Sequence, residues 1–275
     1  VIKQHLSRFS TRVALDYYVS QRISIATNFS LTYTKNDRNY DNLLSLAYKK
    51  MPNMSIYEQD PTTGVNTNRY YTMLQSGSSE FNGDQKTYVN PVASAHLAIN
   101  NQKTYDIMPE LQIKYRLLGL DDESWQLNWD GRFYMNLFND YVDQFYPSEL
   151  KTVSWNAGVN SAYAASSKSV ALNTKQTLTL IPHFNNPDQS LMAMGRMEMT
   201  TGQSSSQLSS SNGLPTGGIT SPSAGGVIAN QSTGYSRWRS LYYTFSTHYA
   251  YKSKYMFDFS VRVDGSTKFG PGKRW

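Results

Sequence analysis

The 275-residue sequence contains no cysteine, which excludes a disulfide scaffold, a thiolate zinc site and a thiol enzyme. No apolar run reaches the roughly 18 residues a membrane-spanning helix needs. Charged residues make up only 17% of the chain, too few for a disordered polyelectrolyte. No sign of charge dominates strongly: 26 Lys and Arg face 20 Asp and Glu. The basic residues are scattered, grouped tightly only at Lys49-Lys50, Arg237-Trp238-Arg239 and Lys273-Arg274. Nucleic acid is therefore not expected as a partner. Apolar residues at helical spacing are missing throughout. The chain opens at Val1 without a basic and apolar leader, and Trp275 follows the loop-like run Gly270-Pro271-Gly272. The expectation is an internal piece of a longer polypeptide.

Tyrosine is abundant, with 21 of the 37 aromatic residues, in a chain whose mean hydropathy is −0.55. The dominant pattern has period two. Ile23, Ile25, Thr27, Phe29, Leu31 and Tyr33 alternate with Ser24, Ala26, Asn28, Ser30 and Thr32. Leu111, Ile113, Tyr115 and Leu117 oppose Glu110, Gln112, Lys114 and Arg116. Trp125, Leu127, Trp129, Phe133, Met135 and Leu137 do the same, as do Tyr255, Phe257, Phe259, Val261 and Val263. This is strand alternation. Several runs last 11 to 14 residues, longer than the five or six usual in globular proteins and enough to cross a bilayer at a tilt.

The alternation predicts strands at about 10–20, 22–35, 106–118, 124–138, 169–182, 189–200, 238–251 and 254–264. Short connections then alternate with long ones at about 36–105, 139–168 and 201–237. That is the parity of an outer-membrane β-barrel, short on the periplasmic side and long outside. It requires 151–164 to belong to the second long loop, although Val153, Trp155, Ala157 and Val159 alternate. The loop 201–237 holds ten Ser and seven Gly and no charge before Arg237, and is expected to be mobile. The predicted class is all-β, part of a large antiparallel transmembrane barrel. A soluble extracellular β-sandwich, binding or adhesive, is the alternative.

No catalytic group, metal site or cofactor is expected. His5, His96, His183 and His248 form no metal-ligand spacing. Asp121-Asp122-Glu123 reads as a solvated turn, and Gly265-Ser266-Thr267-Lys268 lacks the spacing of a phosphate loop. A barrel enzyme would need an acid/base pair at the outer rim. Binding is the better chemistry, because sugars and peptides are held by aromatic faces and side-chain hydrogen bonds. The candidate contacts are Tyr57, Arg69, Tyr70, Tyr71 and Tyr88 in the first long loop, and Tyr146 and Trp155 in the second.

Tyr249-Ala250-Tyr251-Lys252-Ser253-Lys254-Tyr255, followed by Val261 through Pro271, resembles the barrel signature of the SusC/RagA family. These are TonB-linked outer-membrane transporters of Bacteroidetes-type bacteria. The matching positions are Arg262, Asp264, Gly265, Ser266, Phe269 and Gly270, with Val263, Thr267 and Lys268 departing mildly. Pro52 to Tyr57, Asn90-Pro91-Val92-Ala93 and Leu178 to Asp188 also resemble family elements. The resemblance implies a plugged 22-stranded barrel of which about eight strands lie here. It further implies a SusD-like surface lipoprotein as a lid, energy from the TonB complex, and nutrient cargo, oligosaccharide or peptide. Nothing in the sequence matches a plug domain or a TonB box. Arg262 and Asp264 are expected to form a wall or loop-anchoring ion pair rather than to hold cargo.

Overall fold

A computed structural model describes residues 2–72, 83–120, 124–150, 160–215, 217–270 and 272–274. In chain order the elements are β1 (His5–Tyr18), β2 (Ile23–Asp37), α1 (Leu43–Lys49), β3 (Tyr57–Gln59), β4 (Asn66–Tyr70), α2 (Pro91–Leu97), β5 (Ile99–Leu118), β6 (Gln126–Tyr146), β7 (Ser161–Ile181), β8 (Gln189–Asn212), β9 (Val227–Tyr251) and β10 (Tyr255–Ser266). Eight strands form one antiparallel sheet in the order β1-β2-β5-β6-β7-β8-β9-β10, and β3 pairs with β4 in the first long connection. The chain is an arc of a large β-barrel wall.

Register converts alternation into two faces. Tyr17, Ile25, Ile113, Gly131, Gln176, Met197, Tyr243 and Val263 stand in one continuous row across all eight strands. The next row of the same face, from Ile23 on β2, holds Tyr115, Trp129, Leu178, Gly195, Phe245 and Val261. These side chains are not covered: Tyr17, Leu178, Phe245, Val261 and Val263 are exposed, as are Phe9, Val13, Leu15 and Phe259. On β5 the apolar face runs from Tyr105 to Tyr115. Ten residues at about 3.4 Å each, tilted by about 45°, span roughly 24 Å, close to the lipid-facing band of an outer-membrane barrel. Tyr33 and Tyr105, with ring centroids 4.9 Å apart, close one end of the band, and Tyr141 meets Tyr105 edge-on. Tyr115, Trp129 and Tyr249 stand toward the other end.

The opposite face carries the charge. Asp16, Gln112, Arg132, Lys175, Glu198 and Asp264 share one row, and Lys114, Asp130, Arg196 and Arg262 share the next. Cross-strand bonds tie them together. Gln112 Nε2 donates to Asp130 Oδ2 at 2.8 Å, and Asn173 Nδ2 donates to Glu198 Oε1 at 3.0 Å. Among the described residues there is no second sheet of comparable size to cover the apolar face, which removes the basis for a sandwich.

Three of the expected boundaries are corrected. Strand β5 begins at Ile99, inside the expected first loop. Residues 139–146 belong to β6 and 161–168 to β7, so most of the described part of the second expected loop is sheet. The alternating stretch Val153 to Val159 lies outside the described residues. The Ser/Gly segment expected to be mobile is mostly a ladder: β8 runs to Asn212, β9 starts at Val227, and Ser204 to Ser210 pair with Asn230 to Ser236. The physical reason is that these strands continue past the apolar band. With both faces polar, no period-two signal remains, yet the backbone ladder is unbroken except for a bulge at Ser210/Ser211.

Hydrogen exchange tests this directly. Backbone amides of 204–210 should be strongly protected in the intact barrel, by orders of magnitude over an open loop. Exchange at the rate of an unstructured peptide would sink the ladder.

Candidate functional site: the loop cluster at the strand tips

The long connection between β2 and β5 is a folded unit held by a few polar side chains. Asn90 is its centre. Its Oδ1 accepts from Val92 N and Ala93 N, capping α2, whose first residue is Pro91. Its Nδ2 donates to Ile56 O at 2.9 Å and to Tyr71 O at 3.3 Å, closing the two flanks of the β3–β4 hairpin onto the helix. The Asn-Pro element thus has a structural reason to be where it is. Gln85 plays a similar part, donating to Lys49 O at 2.6 Å and accepting from Met51 N at 3.0 Å. Lys50 donates to Gln85 O at 3.0 Å, and burial pushes its ammonium below the ordinary lysine value.

The cluster docks on the charged-face side of the β5–β6 tips. Arg38 N donates to Asn100 O at 2.9 Å, Asn100 Nδ2 to Asn39 O at 3.0 Å, and Gln144 Nε2 to Asn100 Oδ1 at 3.2 Å. Ser94 Oγ donates to Asp41. Tyr40 and Tyr146 pack at 5.0 Å. Burial, and after it the nearby Asp41, push both phenols above the ordinary tyrosine value, Tyr146 the more strongly. On the other face Phe145, Ala162 and Leu214 form the hydrophobic core of the tips, with Ile99 and Ala224 against it.

Asn160 joins the second and third loops. It sits at φ 55°, a conformation asparagine tolerates better than most residues. Its Oδ1 accepts from Ser148 N at 2.9 Å, its Nδ2 donates to Leu214 O at 3.0 Å, and Leu214 N donates back to Asn160 O at 3.2 Å. Nothing in the local sequence marks this residue, because its partners lie 12 and 54 positions away.

The expected binding residues are placed as follows. Tyr57 and Tyr70 stack at 5.3 Å across β3–β4, and Tyr70 stacks on His96 at 6.2 Å. Tyr71 is half-buried, its N–H donating to Ile56 O at 2.9 Å. The Lys49 ammonium lies 5.5 Å over the Tyr88 ring. Arg69 is exposed on β4. Tyr146 is in the pair with Tyr40. Trp155 and the acidic triple 121–123 lie outside the described residues. Tyr57, Tyr70, Tyr71 and Tyr88 therefore meet in one cluster, each already in contact with its own loop. The recess beside Asn90, lined by Lys50, Met54, Ile56, Tyr71 and Pro91, holds about 80 Å³, far below the size of a drug-like site.

The signature residues zip the end of β10 to β9. Arg262 Nε donates to Asp264 Oδ1 at 2.6 Å, and its guanidinium lies 4.6 Å over the Tyr242 ring. Gly265 is buried. Ser266 Oγ accepts from Lys268 N and from Ser240 Oγ, and Thr267 N donates to Arg239 O at 2.9 Å. Lys268 reaches back over the Trp238 ring at 4.5 Å. That ring packs against Gly202, where a Cβ would come within 2.3 Å of it. Phe269 is exposed and Gly270 borders open space. Sequence reading also missed a pair made by register: His248 Nδ1 is 2.6 Å from Asp258 Oδ1 on the charged face, at the short-turn end away from the rim.

No known family model matches the chain, and no curated protein matches it in sequence. The fold does have solved relatives. A chain of the RagAB peptide transporter superposes with a TM-score of 0.71 at 13% identity, covering 98% of this chain and 29% of that one. The RagAB peptide importer in its closed-closed state gives 0.70 at 14% identity, and in its open-open state 0.71 at 14%, with 29% and 28% of those chains covered. This chain therefore spans under a third of the length of its solved neighbours and shares the barrel fold of that part.

Two outcomes are expected from these contacts. Asn90→Ala removes a helix cap worth about 1 kcal/mol and two amide bonds worth about 1 kcal/mol each, so the cluster 38–98 should weaken by roughly 2–3 kcal/mol. Limited proteolysis between residues 50 and 72 reads this; an unchanged cleavage rate would remove Asn90 from its central place. The second concerns pH. Tyr146 stays neutral in the folded cluster where an unfolded tyrosine ionises, near pH 10. Its contribution is complete below about pH 10 and is lost as pH rises beyond it. Protease resistance of the cluster should fall between about pH 10 and 12, less steeply in Tyr146→Phe. Identical curves would contradict the burial of this phenol.

Proposed function

We propose that this chain is part of the wall of a SusC/RagA-type, TonB-linked importer in a bacterial outer membrane. The observation that carries the reading is the inversion of the sheet. Its apolar rows are exposed in a band roughly 24 Å tall, bounded by tyrosines, while the charges line the opposite face. Such a face needs hydrocarbon as its solvent. A charged face turned inward suits a polar passage. The sheet is open at β1 and β10, and unpaired strand edges have no place in lipid, so further strands must close the barrel.

In this reading the short turns face the periplasm and the clustered loops face outward. The cargo is an oligosaccharide or peptide, gripped at the mouth by aromatic faces and amide groups. A SusD-like surface lipoprotein sits over the loop cluster as a lid, and the TonB complex supplies energy through a segment outside 1–275. The signature residues Asn90, Pro91, Arg262, Asp264, Gly265 and Ser266 fix the frame rather than the cargo. Transport proceeds without covalent chemistry, cofactor or metal. The RagAB likeness in fold supports transport in general, and the sequence motifs support the narrower family.

Cells with and without the gene decide the matter. An antibody to 204–234 should find the protein in the outer membrane only. Uptake of labelled oligosaccharide or peptide pools should fall on deletion and on collapse of the proton-motive force. A soluble protein, or uptake indifferent to both treatments, would overturn the proposal.

A further inference from the structure

We infer that the membrane-facing side of β2, β5, β6 and β7 carries a binding site for a phosphorylated lipid of the outer leaflet. The inference rests on the outer-membrane reading above. The site begins where the apolar band ends. Tyr33, Tyr105, Asn139 and Lys168 form one register row of the lipid-side face, and Lys35, Lys103 and Tyr141 form the next. Lys35 and Lys103 are directly opposed, and like charges so placed repel unless an anion lies between or beside them. Asp37 answers Lys35 at 3.2 Å. Lys103 and the exposed Lys168 have no ionic partner among the described residues. Beside Lys103 lies an open recess of about 480 Å³, lined by Lys103, Tyr105, Ile107, Asn139, Tyr141 and Asp143, and Lys168 pairs in register with its Asn139.

The chemistry grades along the normal of the membrane. Ile107 and the Tyr105 ring offer an apolar floor for an acyl chain. Asn139 and the Tyr141 hydroxyl offer hydrogen bonds at the interfacial level, where tyrosine belongs. Lys168, in the row of Asn139, and Lys103, in the row of Tyr141, offer cations for a phosphate at the same level. Asp37 and Asp143 stand in the row beyond Lys103, so the anion is confined to the two rows that hold the lysines.

Two facts favour a lipid of one leaflet over a lid protein. First, the belt of cations recurs on the same face of β9: Arg237 stands in the row of Leu137 and Val170, one row toward the apolar band from Lys168, and Arg239 in the row of Leu172, one row further. Lys35, Lys103, Lys168, Arg237 and Arg239 there outnumber Asp37 and Asp143. Second, the belt exists at one end only. Toward the short turns, this face presents Tyr17, Leu127, Leu180, Leu191, Tyr251 and Tyr255, and the cations Arg22, Lys252 and Lys254 lie in the turns themselves. Charge on one rim of the band matches a bilayer whose outer leaflet bears the phosphates.

Native mass spectrometry of the intact barrel, exposed to bisphosphorylated lipid A in mild detergent, tests the site. Wild-type barrel should retain the lipid. Lys103→Gln with Lys168→Gln should bind roughly thirty-fold more weakly, the loss of two cations beside an anionic headgroup. Lys103→Arg with Lys168→Arg should retain it, as should Lys175→Gln on the charged face. Heat-modifiable gel mobility confirms that each variant is folded. Equal retention by the Gln variant, or equal binding of dephosphorylated lipid A, would overturn the site while leaving a membrane barrel standing. A protein absent from the membrane fraction would overturn the underlying reading instead.

Discussion

Pairing of backbone amides between neighbouring strands is the constraint on which everything else in this structure rests. Seven strand interfaces hold the sheet, and one continuous register runs from Tyr17 on β1 to Val263 on β10. Register decides which side chains share a face, and only then can a face be apolar. Ala93, Ala95, Phe145, Leu150, Ala162 and Leu214, the buried aliphatic and aromatic side chains among the described residues, all lie in the loops or at the strand tips. Sequestered apolar surface therefore cannot be what organises the band. The ladder organises it, and the apolar rows then select the medium in which the ladder can exist.

Within the band the sequence was explicit. Ile23 to Tyr33 and Leu111 to Leu117 alternate because one face of the sheet is apolar and the other polar, and that contrast is what period two records. Above the band the contrast vanishes. Ser204 to Ser210 read as a flexible linker, since serine and glycine have low strand preference and show no periodicity there. Pairing with Asn230 to Ser236 is a long-range fact that composition cannot express. Asn160 and the His248–Asp258 pair were hidden for the same reason, their partners being distant in sequence or set by register. Asn90 was legible because its motif is local: a capping side chain followed by proline at the first helical position.

The mouth of the arc combines a stiff frame with tightly bound loops. The first loop is clamped on the charged side of the β5–β6 tips, and Leu214 from the third loop is pinned on the other side against Phe145 and Ala162. Aromatic residues of the type that grips sugars and peptides are already engaged within the cluster, Tyr57 and Tyr70 stacked on each other and Tyr88 under the Lys49 ammonium. In the proposed reading, cargo meets the exposed edges of packed rings, held at little further cost in conformational entropy.

In the proposed membrane setting, the polar extension of β8 and β9 sets how far the mouth stands above the bilayer. A ladder gains height only where both strands gain paired residues, since an unmatched residue on one strand is taken up as a bulge, as at Ser210/Ser211. Its height can therefore change only by matched additions to both strands, which makes clearance above the membrane a stepped rather than a continuous trait in the descent of such barrels. The connecting segment 213–226, bound to no such rule, is free to vary by single residues.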